Sequence, residues 1–440
     1  TLQRASVFGR TFWVEAVNFV AKDPGLSDAA PALAALNGRE MVFQSATSTF
    51  AATDEYIFKH ALLRDATYES VLKRDRRVYH ARAADWLLRH SAARETEFAG
   101  LIAEHLERSA QFEQAAQYLA RAGASALRTY AYREAADYFR RALALLPAEG
   151  AERVPLLVQS GEALWYLGEY EQAQTLLQEG LALGKKHGQD GHHADALIHL
   201  AGIARKQGRW DQARACLTES LQIARQLGEK NEIANALHNL GWLEIRQGAY
   251  AAASALLAEA QALYQALRDR RGLADAFNGL GTAALNLGEY EKTTAFYQES
   301  LALFHEVGDR PGESAALVNL GETARRQEDY TAARQYYEAA LKIDHEIGDE
   351  LLAAMTLGNL GHTALACKDY AAAEGYYHKG LQTAVAINDI PDILDILSGL
   401  AGALAQTNRM EQALIILGLV LHHPGLEDES RLIAGQALSA

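Results

Sequence analysis

Arg205 with Lys206, then Arg246, then Arg325 with Arg326 stand at one register of a 40-residue spacing. A guanidinium matches a carboxylate with paired N–H donors, so these cations, in an otherwise acidic chain, point to an acidic peptide or a carboxylate-bearing ligand. Asn239, Asn319 and Asn359 each open an "NLG" triplet, and an amide can both donate to and accept from an extended peptide backbone. Each residue also has a plainer reading. A helix-face cation pairs with a Glu one turn away, an Asn satisfies a neighbouring turn, and Trp165 or Trp242 packs against an adjacent helix.

Chemistry of bond making and breaking is not legible. His192, His193 and His199 lack the spacing of a zinc helix, and His422-His423 stands alone before Pro424, so neither group offers three converging ligands. Cys216 and Cys367 lie far apart, which argues against a disulfide framework or a cysteine-rich zinc site and suits a reducing cytoplasm. The nearest string to a phosphate-cradling loop, "GLALGKK" at 180–186, has the wrong spacing and ends in Lys. No nucleophile elbow occurs. The chain is read as non-catalytic, with no metal and no cofactor of its own.

Composition agrees. With 49% hydrophobic and 22% charged residues over 440 positions the chain reads as soluble. The longest apolar run, 413–421, is far short of a membrane span. No secretory signal opens the sequence, and its start at Thr1 reads as a piece of something longer. The net charge of −14 is uneven, with 13 basic and 11 acidic residues in 1–95 against 29 and 45 beyond. A long acidic surface repels phosphates, so nucleic acid is not an expected partner outside the first 95 residues.

The elements that position these residues repeat. Small residues recur at Gly161, Ala201, Gly241, Gly281, Gly321, Gly361 and Ala401; a bulky residue follows nine later (Tyr170 to Met410) and a small one twelve later (Ala173 to Ala413). Turn residues fall between, at Gly168, Gly208, Gly248, Gly288, Glu328, Lys368 and Asn408. Each copy therefore predicts two helices joined by a short turn, the two small residues facing each other so that the backbones approach. A lone pair cannot bury its apolar stripe, whereas stacked pairs can.

This small–turn–aromatic–Ala pattern resembles the tetratricopeptide repeat, with a longer second helix and linker. Two shorter units resembling it precede, at 103–123 and 122–147. The resemblance implies a mostly all-α, right-handed superhelix, with 96–149 as two short units, 150–429 as seven 40-residue units, and 430–440 as the start of a further or capping helix. It also implies that first helices line a concave groove, read six and three positions before the small residue and one, four and five after it. The groove residues at those positions are Arg205, Lys206, His238, Trp242, Arg246, Arg325, Arg326 and His362, joined by the asparagines Asn239, Asn319 and Asn359 two before the small residue, and the expected partner is a protein or peptide.

Residues 1–95 break the repeat. Helical character over 13–21 and 27–37, with Ser27 as a plausible cap, precedes "MVFQS" (41–45) and "EYIF" (55–58), which read as a β-hairpin. A helix from about 60 to 72 and a further helical stretch follow, giving a winged-helix-like α+β module. "FKHALLRDATYESVLKRDRR" (58–77) resembles the segment behind the nucleotide-binding core of bacterial signal-transduction ATPases of the STAND class, some of which are joined to tetratricopeptide arms and adenylate cyclase domains. The resemblance aligns His60 with a histidine that senses the β-phosphate of ADP, though the flanking Met and Asp of that motif are absent. It implies ADP or ATP only through an ATPase core upstream of Thr1. Lys73, Arg74, Arg76 and Arg77 form a basic cluster interrupted by Asp75, open to DNA contact, solvation or intramolecular docking.

The reading that results is a cytoplasmic, ligand-binding sensor arm of such an ATPase. Ligand capture would change how the arm packs against the winged-helix-like module and release a nucleotide-locked state. The alternatives are a free-standing adaptor bridging proteins and a DNA-binding regulator acting through the first module.

Overall fold

The computed structural model describes residues 1–21, 28–51, 53–91, 94–188 and 190–422. It divides into two compact units, Thr1–Ala213 and Arg214–Ala440. The further helix expected at 430–440, and the expected cap Ser27, lie outside the described residues.

In the first unit a small α+β segment precedes helices. Its sheet has three antiparallel strands, β1 (Thr11–Trp13), β2 (Val42–Gln44) and β3 (Glu55–Phe58), in the order β1-β3-β2. The expected hairpin partners are indeed neighbours, with Phe43 opposite Ile57. Strand β1 was not expected: its three residues are too short to show alternation, and it runs straight into helix Val14–Ala21, so "TFW" reads as helix N-terminus. The second expected helix is Ala29–Gly38, and Asp28 caps it by accepting from the Ala30 N–H. Helix Ala61–Glu69 ends three residues early, before a new helix Lys73–His90.

Aromatic side chains fill this core. Trp13 stacks on Trp86 with ring centres 5.4 Å apart, and Phe50 stands edge-on to both. The Trp13 indole N–H donates to Glu55 at 3.0 Å. Burial pushes Glu55 up, but bonds from Thr49 and Trp13 outweigh it and hold the carboxyl below its usual range.

From Arg153 onward the helices come in pairs. The first unit contains Arg153–Tyr166 with Tyr170–His187, then Asp190–Lys206. The second contains Lys230–Arg246 with Tyr250–Leu267, Arg270–Asn286 with Tyr290–Val307, Arg310–Arg326 with Tyr330–Ile347, Glu350–Ala366 with Tyr370–Ile387, and Ile390–Gln406 with Met410–Leu421. Every predicted turn residue adopts positive φ, from Gly168 at 76° to Glu328 and Lys368 at 61° and Asn408 at 58°. Each turn lets the chain reverse within two or three residues. Between pairs, Asp269, Asp309 and Asp349 cap the next helix by accepting from a backbone N–H three residues on.

The small residue of the first helix has a different neighbour from the one expected. The space at Gly281 and Gly321 is taken by Tyr297 and Tyr337, sixteen residues later; an added Cβ would meet those rings at 2.6 and 2.7 Å. At Gly161 and Gly241 the neighbours are Leu177 and Leu257. The small residue twelve positions on is buried beside this contact, and at Gly161 the Ala173 carbonyl also comes within 3.4 Å of the added Cβ.

Candidate functional site

In the second unit, first helices of successive pairs touch one another, while successive second helices make no comparable contact. First helices therefore line the tighter face of this stack. That face carries most of the residues singled out by sequence.

Its chemistry is mixed. Arg325 donates from Nε and Nη2 to Glu322 at 2.8 and 2.9 Å, and Arg326 donates from Nε to the same carboxylate at 2.8 Å. Against burial, these bonds hold the Glu322 carboxyl below its usual range. Two guanidiniums share one carboxylate, which leaves a net positive charge and several unused N–H donors. Arg246 is exposed and makes no ion pair among the described residues. In the first unit Arg205 is half-buried and Lys206 exposed at the end of their helix.

The asparagines are partly spent. Asn239 donates to the Asn235 carbonyl at 2.9 Å on its own helix. Asn319 donates to Asn278 of the preceding first helix at 2.8 Å, which leaves the Asn319 carbonyl and the Asn278 amide N–H₂ for other partners. Asn359 is half-buried, and its backbone carbonyl accepts from Thr363. Trp242 packs against the cluster around Leu257 and Leu280, the plainer of its two readings. His238 lies edge-on to Trp242 and Tyr264.

His362 is held at both nitrogens. Nδ1 faces the Tyr377 hydroxyl at 2.9 Å and Nε2 faces Asp395 of the next first helix at 2.8 Å. In the neutral ring Nε2 donates to the carboxylate and Tyr377 donates to Nδ1. The hydroxyls of Tyr297 and Tyr337 reach Thr282 and Glu322 in the same way. The three tyrosines therefore support the residues that follow Gly281, Gly321 and Gly361.

Sequence reasoning missed the acids of this face. Burial and the charge of Asp195 push Glu162 up to about 7 in the first unit. Burial pushes Asp275 up to about 6, against the pull of Arg271 and with help from Asp309 and Asp269. The signal was present, because Asp195, Asp275 and Asp395 all stand six residues before the small residue.

The remaining candidates lie in the α+β segment. His60 is exposed at the N-cap of helix Ala61–Glu69. Of the basic cluster, Arg76 bonds Glu69 and the Val71 carbonyl, and Arg77 donates to the Ser109 carbonyl, tying helix Lys73–His90 to the end of helix Glu95–Arg108. These two cations serve the interior of the segment. Behind them Tyr68, His80 and His105 form a chain of contacts at 2.9 Å each across three helices. Burial, aided by nearby arginines, drives His80 down to about 3, so the pair is neutral. Among the described residues no three His, Cys, Asp or Glu side chains converge as metal ligands, and no helix is long and apolar enough to cross a membrane.

The tetratricopeptide repeat family matches residues 192–266 and 272–346, and a second form of the same repeat matches 353–389. Among solved structures, a signal transduction ATPase with numerous domains that carries a tetratricopeptide repeat sensor, from Pyrococcus horikoshii, matches with a TM-score of 0.66 at 15% identity over 96% of this chain. The chain spans 61% of that protein's length. The apo form of RapI matches with a TM-score of 0.56 at 12% identity, over 74% of this chain and 97% of its own. At such identities the likeness establishes the fold alone. No curated protein sequence matches the chain.

Proposed function

We propose that this chain, which carries tetratricopeptide repeats between residues 192 and 389, is the non-catalytic sensor arm of a bacterial, STAND-type signalling ATPase. The observation that carries the reading is the order of parts: an α+β segment followed by paired helices matches the sensor-bearing ATPase from Pyrococcus horikoshii over 96% of this chain. In the second unit the ligand lies along the first helices, where Arg246, Arg325 and Arg326 engage carboxylates and Asn319 with Asn278 engages peptide backbone. Within residues 1–95 the module is winged-helix-like, and His60 faces the nucleotide of the ATPase core. Arg76, bonded to Glu69 within the segment, and Arg77, bonded to the Ser109 carbonyl beyond it, favour its use for docking over DNA contact. Capture of ligand acts by preferring one of two arrangements of the parent protein, which requires different affinities for the two.

The test is an array of short peptides rich in Asp and Glu, probed with the full chain and with a variant carrying Arg325→Glu and Arg326→Glu. The reading expects a set of acidic peptides that binds the unaltered chain and is lost from the variant, with unchanged helix content. An array on which the two proteins bind alike would remove the groove from the account.

A further inference from the structure

A second surface runs along the edge of the second unit where second helices end and the next first helices begin. Five second helices there end in an aliphatic residue just before the left-handed residue that turns the chain: Leu227, Leu267, Val307, Ile347 and Ile387. All five are between 36% and 45% exposed. One exposed aliphatic side chain needs no explanation, but five at the same register form a ladder.

Ion pairs bridge this ladder at two steps. Arg270 pairs with Glu306 at 3.4 Å, and Arg310 pairs with Glu346, each cation reaching from the start of a first helix to the end of the following second helix. At the first step Lys230 faces Ala266 in place of the glutamate; at the last, Glu350 stands in place of the cation as well and Ala386 in place of the glutamate, so no bridge forms and no cation remains. A notch of about 730 Å³ opens there, with Pro311, Ile347, Leu351 and Ile387 as its apolar lining. Leu351 is 53% exposed. Asp349, Glu350 and Asp389 rim it, and no lysine or arginine lines it.

We infer that this notch docks a partner segment presenting a large aliphatic side chain beside lysine or arginine. The aliphatic side chain covers Leu351 and Ile387, and the cations supply the charge that Arg270 and Arg310 supply at the earlier steps. The site is independent of the first-helix groove and selects ligands of opposite charge.

The probe is a fluorescein-labelled leucine–lysine peptide, with leucine–glutamate and serine–lysine peptides of equal length as controls, followed by anisotropy on the full chain. Only the leucine–lysine peptide is expected to bind. Leu351→Ser with Ile387→Ser is expected to weaken it about tenfold. Glu350→Arg with Ala386→Glu, which rebuilds the missing bridge, is expected to do the same. Arg325→Glu with Arg326→Glu leaves it unchanged, and circular dichroism confirms that each variant is folded. The inference is overturned if the leucine–lysine peptide fails to bind, if a control binds as well, or if both notch variants bind like the unaltered chain.

Discussion

Arg325 holds Glu322 with two N–H groups, at 2.8 and 2.9 Å, one turn apart on the same first helix. Glu322 thus occupies the place a ligand carboxylate would take. Glu322→Gln removes this internal competitor, and binding of an acidic peptide is expected to tighten about tenfold. Anisotropy titration of a labelled acidic peptide checks it; equal or weaker binding would mean that Glu322 organises the site and does not compete for it.

Gly321 faces the Tyr337 ring with no room for a methyl group. Alanine in an open helix position gains about 1 kcal/mol over glycine, whereas overpacking costs about 1–3 kcal/mol. The second effect wins here, so Gly321→Ala is expected to lower the melting temperature. Adding Tyr337→Leu recreates the pairing of Ala401 with Leu417, both buried in one cluster, and is expected to recover most of the loss. Thermal unfolding of the single and double variants decides.

Glu328 and Lys368 hold a conformation with φ of 61° that favours glycine. Left-handed backbone costs a side chain about 1–2 kcal/mol. Replacing either residue by glycine relieves that strain but frees the unfolded chain, and the net expectation is a small gain, about 0.5–1 kcal/mol. Chemical denaturation of Glu328→Gly and Lys368→Gly measures it.

Glu162 illustrates a pH effect whose sign is fixed by its raised pKa. The folded chain holds its proton up to about 7, while the unfolded chain releases it near 4.5. Its contribution is fully present below the lower value and is lost as the pH climbs through the higher one. Glu162→Gln is therefore expected to raise the melting temperature at pH 8 relative to the unaltered chain and to leave it nearly unchanged at pH 4. Parallel pH dependences in the two proteins would contradict this.

The repeat was legible because its period brings one residue type back at fixed positions, and the turn positions followed from it down to the three that are not glycine. The partner of each glycine was not legible in the same way. Tyr297, Tyr337 and Tyr377 sit four residues beyond the small residue that the pattern emphasises, and only packing shows that a ring fills the space. Strand β1 escaped because three residues carry no period. In the candidate site, the cations were read as a strip because charge is visible in sequence, and the pairing of Arg325 and Arg326 with Glu322 is the plainer reading that helix spacing already offered, while the double anchoring of His362 depends on which side chains meet across helices.

The central claim is that ligands are recognised on the face formed by first helices. Photo-crosslinking with an acidic peptide selected on the full chain, followed by mass spectrometric mapping, tests it most directly. The account predicts crosslinks within 230–246, 310–326 and 350–366. Crosslinks confined to the second helices would contradict it.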